Sequence, residues 1–383
     1  MKIAFDAKRA YQNATGLGHY SRTLISSLAA FYPAHHYYLC APKLTHQFDI
    51  AGFTNVDNII PESFFSKKLP SAWRSSWVKK DIEKKGINIY HGLSNEIPLG
   101  IHKTGIGSAV TIHDLIFERY PQQYNWIDVN IYRRKFKYAC KNADHIIAIS
   151  SQTKEDIIDF YKIPEHKITI CYQSCDSAFA EPINEIEKIR IKELYKLPGR
   201  FFLYVGSVIE RKNLLNICKA LKELKRKLEI PLVVIGSGGA YKQKVKEYIS
   251  ENNMESSVIF LSDTEQAKNA AGFQSSADFP AIYQLSAGLI YPSVFEGFGL
   301  PVLEALWSKV PVITSNISCL PETGGDAAYY VDPYSPAQIA EGMMKLAADE
   351  SLVSSMKQKG WLHAQNFIAE KCAAKVMQVY LRL

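Results

Sequence analysis

The 383-residue chain lacks several features that would settle its class at once. No apolar run approaches the roughly 20 residues a membrane helix needs. The opening MKIAFDAKRA enters a strand with no basic head and apolar signal core, which argues against export. Cysteine is sparse and odd in number: seven residues, no C-x-x-C pair, and three residues between Cys171 and Cys175. That count disfavours a disulfide framework or a zinc site, fits reduced buried thiols in the cytoplasm, and weakens the case for a catalytic cysteine. No G-x-G-x-x-G follows a strand; in TGLGHYS the third glycine position is Ser21, so the dinucleotide fingerprint is missing. Extreme charge is missing too. A net +7 falls short of a nucleic-acid binder, although it favours anionic ligands and anionic membrane surfaces.

What is present is a soluble, globular composition, 47% hydrophobic and 22% charged, long enough for two or three domains. Short apolar strands alternate with longer helical stretches. The first half reads as strands at 2–7, 37–41, 87–92, 107–114, 145–150 and 167–172, with helices at 18–31, 71–85, 126–141 and 151–161. Polar QSCDSAFAEPINE (173–185) breaks the pattern and reads as a hinge. The alternation then restarts, with strands at 201–207, 231–239, 258–262, 287–293, 310–315 and 327–333 and helices at 212–228 and 240–252. Strands alternating with helices predict parallel sheets covered on both faces, here two doubly wound α/β domains in tandem with a cleft between them. Such sheets take ligands beyond the carboxyl ends of their strands. The segment 263–277, rich in Ala, Gln and Ser, reads as an inserted loop or short helix.

Charge is uneven. Between 67 and 85 the chain holds seven Lys/Arg, with Trp73 and Trp77 at i, i+4 spacing. Either a basic helix lays its tryptophans on an anionic membrane surface, or both tryptophans are core and the lysines are merely solvated. A second basic run, YRRKFKYACK (132–141), reads as a solvated helix face.

Four stretches converge on anion handling. Gly16, Leu17 and Gly18 form a turn feeding a helix, where glycine permits close backbone approach to a ligand; a plain helix start is the alternative. In GSVIERKNL (206–214), Arg211 and Lys212 stand where a strand ends, suited to a diphosphate or simply solvated. His113 ends the strand in VTIHD; a lone histidine is more often structural, but strand ends face the cleft. Finally, FEGFGLPVLEAL (295–306) places Glu296 and Glu304 around a glycine turn. Pro301 fits the first turn of the following helix, so Gly297, Phe298, Gly299 and Leu300 form an amino-terminal approach able to bind phosphate oxygens. Glu304 can accept from ribose hydroxyls, and Glu296 projects towards whatever the phosphate carries. A capped helix with acids at its favourable end is the plainer reading.

Taken together, PSVFEGFGLPVLEALWSKVPVITS (292–315), TGLGHYSRTLISSLA, VTIHDLIFERYP and GSVIERKNL make the chain resemble the retaining glycosyltransferases of family 4, which have the GT-B fold, over essentially its whole length. The resemblance implies an acceptor-side Rossmann-like domain at 1–172, a hinge at 173–185, a nucleotide-sugar domain at 186–362, and a helix at 363–383 returning to the first domain. It assigns Glu296 to the donor sugar, Glu304 to the ribose, Lys212 to the diphosphate, His113 to the vicinity of the transferred sugar, and residues 16–18 to the reaction centre. Many members have arginine where this chain has Ser207, a donor-site position whose charge Arg211 takes over. IHDLIFERYP and ERKNL look most like mannosyltransferases of bacterial surface-polysaccharide assembly. The expected substrates are therefore a nucleoside-diphosphate sugar, best GDP-mannose and otherwise a UDP-sugar, and a glycan or lipid-linked glycan. No D-x-D is present, so neither metal nor other cofactor is expected, and the leaving diphosphate is left to fixed charges. The expected place is the cytoplasm, including the inner face of its membrane. An NAD-dependent oxidoreductase, a phosphorylase and an inactive nucleotide-sugar binder are the rival readings.

Overall fold

The computed structural model describes residues 1–224 and 228–383. They form two compact units: Met1–Cys175 with Phe367–Leu383, and Asp176–Asn366. The first unit contains β1 (Lys2–Asp6), β2 (His36–Cys40), β3 (Val56–Ile59), β4 (Ile89–Gly92), β5 (Gly107–Ile112), β6 (His145–Ala148) and β7 (Ile168–Ile170). They form one sheet in the order β3-β2-β1-β4-β5-β6-β7, and every pair is parallel. The second unit contains β8 (Phe202–Val205), β9 (Leu232–Ile235), β10 (Val258–Phe260), β11 (Gly288–Tyr291), β12 (Val312–Ser315) and β13 (Tyr329–Val331). These are also all parallel, in the order β10-β9-β8-β11-β12-β13.

Helices on both faces explain why the inner strands are apolar at nearly every position. β8, β9, β11 and β12 are buried throughout, whereas edge strands β3, β10 and β13 keep partly open residues. Alternate β1 side chains enter opposite cores. Ile3 and Phe5 join Leu24, Leu28 and Val376, while Ala4 joins Trp73, Ile82 and Phe136. β3 is the one strand missing from the sequence reading. It spans four residues at a sheet edge, and its middle pair, Asp57 and Asn58, hides the apolar ends.

Several elements differ in detail from their sequence-based expectation. The chain divides after Cys175, within the segment read as a hinge, and most of that segment packs on the second unit. There the Phe179 ring meets Tyr283 edge-on at 5.2 Å, and Ser308 Oγ donates to the Phe179 carbonyl at 3.2 Å. The helix Ala369–Tyr380 lies against the helix Gly16–Phe31 and buries Cys372, Ala373, Val376, Met377, Val379 and Tyr380, whereas 350–364 belongs to the second unit. The helix expected over 212–228 runs Leu214–Leu224 after a 3-10 turn at Glu210–Lys212, and residues 225–227 lie outside the described residues. Segment 263–277 holds two short helices, Glu265–Asn269 and Ala271–Gln274. All seven cysteines are free and buried.

The strand order reverses between β1 and β4 in one unit and between β8 and β11 in the other. Neighbouring strands whose connections leave to opposite faces open a crevice at their carboxyl ends. Arg211, Lys212 and Glu296 follow the two strands of the second reversal, and His113 follows β5, one strand beyond the first.

Candidate active site

In the second unit, β8 and β11 are neighbours, so the loops 206–213 and 292–299 leave the sheet side by side. Glu296 Oε1 is the meeting point. Arg211 NH1 lies 2.9 Å from it and Lys212 Nζ 3.4 Å, while Ser293 Oγ donates to it at 2.7 Å and the Tyr291 hydroxyl at 2.9 Å. The residue is only 8% exposed, rather than projecting freely as its place in the turn suggested. Burial alone would raise its pKa, but Lys212, Arg211 and the two hydroxyls overcome that and bring it down to about 2. Burial lowers the pKa of Lys212, with Glu296 opposing and Arg211 reinforcing that fall. Two cations thus share one carboxylate oxygen in a site with little water to screen them.

The backbone explains why these groups converge. Gly206 ends β8 at φ +144°, and a Cβ there would stand 3.1 Å from Lys212 Nζ, so glycine lets the lysine fold back over the strand end. The ammonium then reaches the Tyr291 hydroxyl at 2.5 Å and lies 4.9 Å from that ring's centre. Arg211 also donates to the Phe295 carbonyl, and its own carbonyl accepts from the Val294 amide at 2.8 Å, tying the two loops together. Asn213, in the left-handed region at φ 65°, donates through Nδ2 to the carbonyls of Pro292 and Pro333 at 3.0 and 2.6 Å. Ser207 is exposed beside this cluster; its carbonyl, not its side chain, accepts from the Tyr204 hydroxyl at 3.1 Å.

Beyond Glu296 the chain enters the helix Leu300–Trp307 through Gly299 at φ +96°, where a Cβ would also crowd Leu320 at 2.9 Å. Gly297, Phe298 and Gly299 are buried, and the Phe298 carbonyl accepts from Thr323 Oγ1. The first amides of any helix have no intrahelical acceptor, so the start of this helix brings N–H groups backed by the helix dipole to the end of the stretch 297–300. One turn in, Glu304 accepts from the Tyr283 hydroxyl at 2.7 Å. Burial raises its pKa to about 7, against the hydrogen bond and Lys212. Glu296 is therefore held ionised well below neutrality, whereas Glu304 changes charge close to it.

The first unit holds a neutral histidine at a strand end. His113 directly follows β5 and is 6% exposed; Asn95 Oδ1 accepts from its amide at 2.8 Å, and its Nε2 donates to the Leu93 carbonyl at 2.8 Å. That bond assigns the Nε2–H tautomer and leaves Nδ1 as an acceptor. Burial lowers the imidazole pKa to about 4, despite the Leu93 bond, with Arg9 adding to the fall. Residues 16–18 are the first turn of the helix Gly16–Phe31 rather than a turn ahead of it. Gly18 has no room for a side chain, since a Cβ would lie 1.8 Å from the Asn13 carbonyl oxygen. The same helix carries Tyr20, whose ring meets His113 edge-on at 4.7 Å.

Two sets of residues escaped the sequence reading. Tyr20 and His91 Nε2 both reach Thr111 Oγ1, at 2.9 and 2.8 Å, and His91 Nδ1 reaches the Tyr380 hydroxyl at 2.6 Å. This buried polar chain runs from the last helix to the ring beside His113; His91 and Tyr380 are 289 positions apart, so no local signal joins them. The GSGG turn after β9 was read only as a strand end. A Cβ on Gly236 would lie 1.9 Å from the Gly206 oxygen, and one on Gly238 2.3 Å from that of Val208. Those glycines were the available signal for backbone packed against the 206–208 loop. Among the described residues, no three of His, Cys, Asp and Glu gather as a metal site would require.

Two family models match the chain. Residues 14–179 match the model of "Glycosyltransferase Family 4" and residues 185–362 that of "Glycosyl transferases group 1". The chain is 24% identical to O-antigen chain mannosyltransferase B of Escherichia coli, across 99% of each chain. Its fold matches sucrose-phosphate synthase of Thermosynechococcus elongatus with a TM-score of 0.76 at 19% identity, covering 100% of this chain and 98% of that one. It also matches Anabaena HepE, solved with UDP-glucose, with a TM-score of 0.72 at 13% identity and 100% of both chains covered. The chain belongs to the family 4 glycosyltransferases and has their GT-B fold.

Proposed function

We propose that the protein transfers mannose from GDP-mannose to a hydroxyl of a growing surface glycan or lipid-linked glycan, with retention of anomeric configuration and without a metal. The observation that carries the donor half is the convergence of Arg211 and Lys212 on Glu296 beside the helix start at 297–300. The mannose assignment is supported by the E. coli relative, named as an O-antigen chain mannosyltransferase.

In this reading the diphosphate is met by Arg211 and Lys212 and by the amides of Gly297 to Leu300. The ionised Glu296 accepts from hydroxyls of the donor sugar, and Glu304 accepts from the ribose. The bond from the anomeric carbon to the diphosphate oxygen breaks, and the acceptor oxygen bonds to that carbon on the same face. The acceptor proton passes to the diphosphate oxygen just released. Fixed charges placed before the reaction stabilise the departing anion without reorganisation, which is where most of the rate is gained. Neutral His113 supplies Nδ1 as an acceptor for a sugar hydroxyl, and residues 16–18 border the reaction centre. Ser207 is assigned a peripheral donor contact.

A UDP-sugar donor is the second reading, favoured by the UDP-glucose held by HepE, which shares the fold. Incubation with GDP-mannose and with UDP-glucose, UDP-galactose and UDP-GlcNAc, followed by nucleoside diphosphate release and NMR of the product anomer, separates the two. Inverted product would refute retention, and loss of activity in a chelator would refute metal independence.

The proposed place of action is the cytoplasmic face of an anionic membrane. No helix among the described residues is long and apolar enough to cross one. In the 64–85 segment Trp73 is core, with Nε1 donating to Asp81 at 2.6 Å, so the two tryptophans do not share an outward face. Yet Phe64, Phe65, Leu69 and Trp77 are exposed around Lys67 and Lys68, the pairing that suits an anionic interface. Sedimentation with phosphatidylglycerol vesicles, lost on Phe64→Ser with Phe65→Ser, is the expected result; equal sedimentation of the variant would refute this surface.

A further inference from the structure

The carboxyl end of β1, at the first unit's own strand reversal, carries charges that the donor chemistry leaves unused. Asp6 is 2% exposed and is clamped by Arg74, whose Nε lies 3.0 Å from each carboxylate oxygen and NH2 2.5 Å from Oδ2. Arg74 NH1 also reaches Glu96 Oε2 at 3.1 Å, and Lys135 Nζ approaches Glu96 at 3.3 Å. Both carboxylates are thus already matched by cations. Lys8 and Arg9 follow at once, with the Lys8 amide donating to Asp6 Oδ1 at 3.3 Å. Neither side chain has a carboxylate within 4.0 Å among the described residues.

Four cations therefore stand with two carboxylates at the place where an open α/β sheet binds its ligand. Lys8 is partly buried, and after burial it is the charges of Arg74 and Arg9 that most disfavour its protonated form. Arg9 in turn acts on His113. Partly desolvated cations in like-charged company are costly unless an anion joins them. A phosphate, with several acceptor oxygens, suits an ammonium and a guanidinium side by side.

We infer that Lys8 and Arg9, backed by the Arg74–Asp6 clamp, form a second anion site that takes a phosphate group. This rests on the glycosyltransferase reading and deepens it: the phosphate belongs to the acceptor, a glycan carried on a lipid diphosphate, and not to the nucleotide.

The test uses the full chain, the working donor, and two acceptors with the same mannose-terminated glycan. One carries a short lipid diphosphate and the other an alkyl chain without phosphate. For the Lys8→Ala, Arg9→Ala double variant, the KM for the diphosphate acceptor rises roughly tenfold or more, while donor KM and the KM for the alkyl acceptor hold. An equal rise for both acceptors, a rise in donor KM, or no change overturns the assignment. The milder Lys8→Met, Arg9→Gln pair gives the same pattern and guards against misfolding. If the wild type uses no nucleotide sugar, the glycosyltransferase reading fails separately, and calorimetry with inorganic pyrophosphate still tests the site. Binding that survives Lys212→Ala but not Lys8→Ala with Arg9→Ala supports it; binding that ignores Lys8 and Arg9 overturns it.

Discussion

At the end of β11 a single carboxylate oxygen collects Arg211, Lys212, Tyr291 and Ser293; at the end of β5 an imidazole meets a carbonyl and the edge of a tyrosine ring. Both sites lie at strand ends of parallel sheets, yet one is ionic and the other neutral. Burial would neutralise either group on its own. It does so for His113, which falls to about 4, while the two cations outweigh it for Glu296, which stays near 2. The difference assigns roles. In the proposed reading, the charge that meets a leaving diphosphate is concentrated in the second unit, while the first unit holds an uncharged acceptor for a hydroxyl.

The comparison breaks most severely at Glu296. Replacing it with alanine removes the carboxylate that Arg211 and Lys212 share, and breaking such a buried ion pair typically costs about 3–5 kcal/mol. A large fall in melting temperature is therefore expected, and Glu296→Gln, which keeps the hydrogen-bonding shape, is the variant for judging catalysis. If Glu296→Ala melts with the wild type, the ionic description is wrong. The same pair sets an acid limit. Because the folded pKa lies below the ordinary carboxylate value of 4.5, its stabilisation is present above that value and is lost as pH falls towards about 2.

A smaller effect sharpens the contrast within the donor half. Glu304 titrates near 7, so its carboxylate form is lost as pH drops through neutrality, whereas Glu296 stays ionised. Donor KM should rise as pH falls from 8 to 6, approaching tenfold per pH unit at most if one proton governs binding. The Glu304→Gln variant should show a flat profile; a wild-type profile that is itself flat would remove Glu304 from the ribose. The least effect belongs to the buried chain behind His113. Tyr380→Phe strands His91 Nδ1 and should cost about 1–3 kcal/mol, seen in chemical denaturation. A neutral outcome would show that the last helix is held by apolar packing alone.

The sequence was most legible where local chemistry decides the structure. Inner strands such as FLYV and GLIY are continuous apolar runs because both sheet faces are covered, so twelve of the thirteen strands among the described residues could be read from pattern alone. The glycine turn and proline before VLEAL marked a helix start for the same reason. Edge strand β3 could not be read because its exposed polar centre breaks the run. At the site, Glu296, Arg211 and Lys212 were recognisable as residue types, but their pairing was not. It depends on β8 and β11 being neighbours, which strand order decides and periodicity does not. Tyr283 beside Glu304 and Tyr380 beside His91 likewise come from tertiary packing across distant segments.

In the proposed reading Arg211 and Lys212 hold the donor diphosphate. The most direct measurement is nucleoside diphosphate release from GDP-mannose, or from whichever donor the panel selects, by wild type and by Lys212→Ala, each checked for an intact melting transition. Loss of one charged donor to a departing anion typically lowers kcat by roughly 10²–10³-fold. The account predicts a fall of that order with the fold retained; full activity in the folded variant would contradict it.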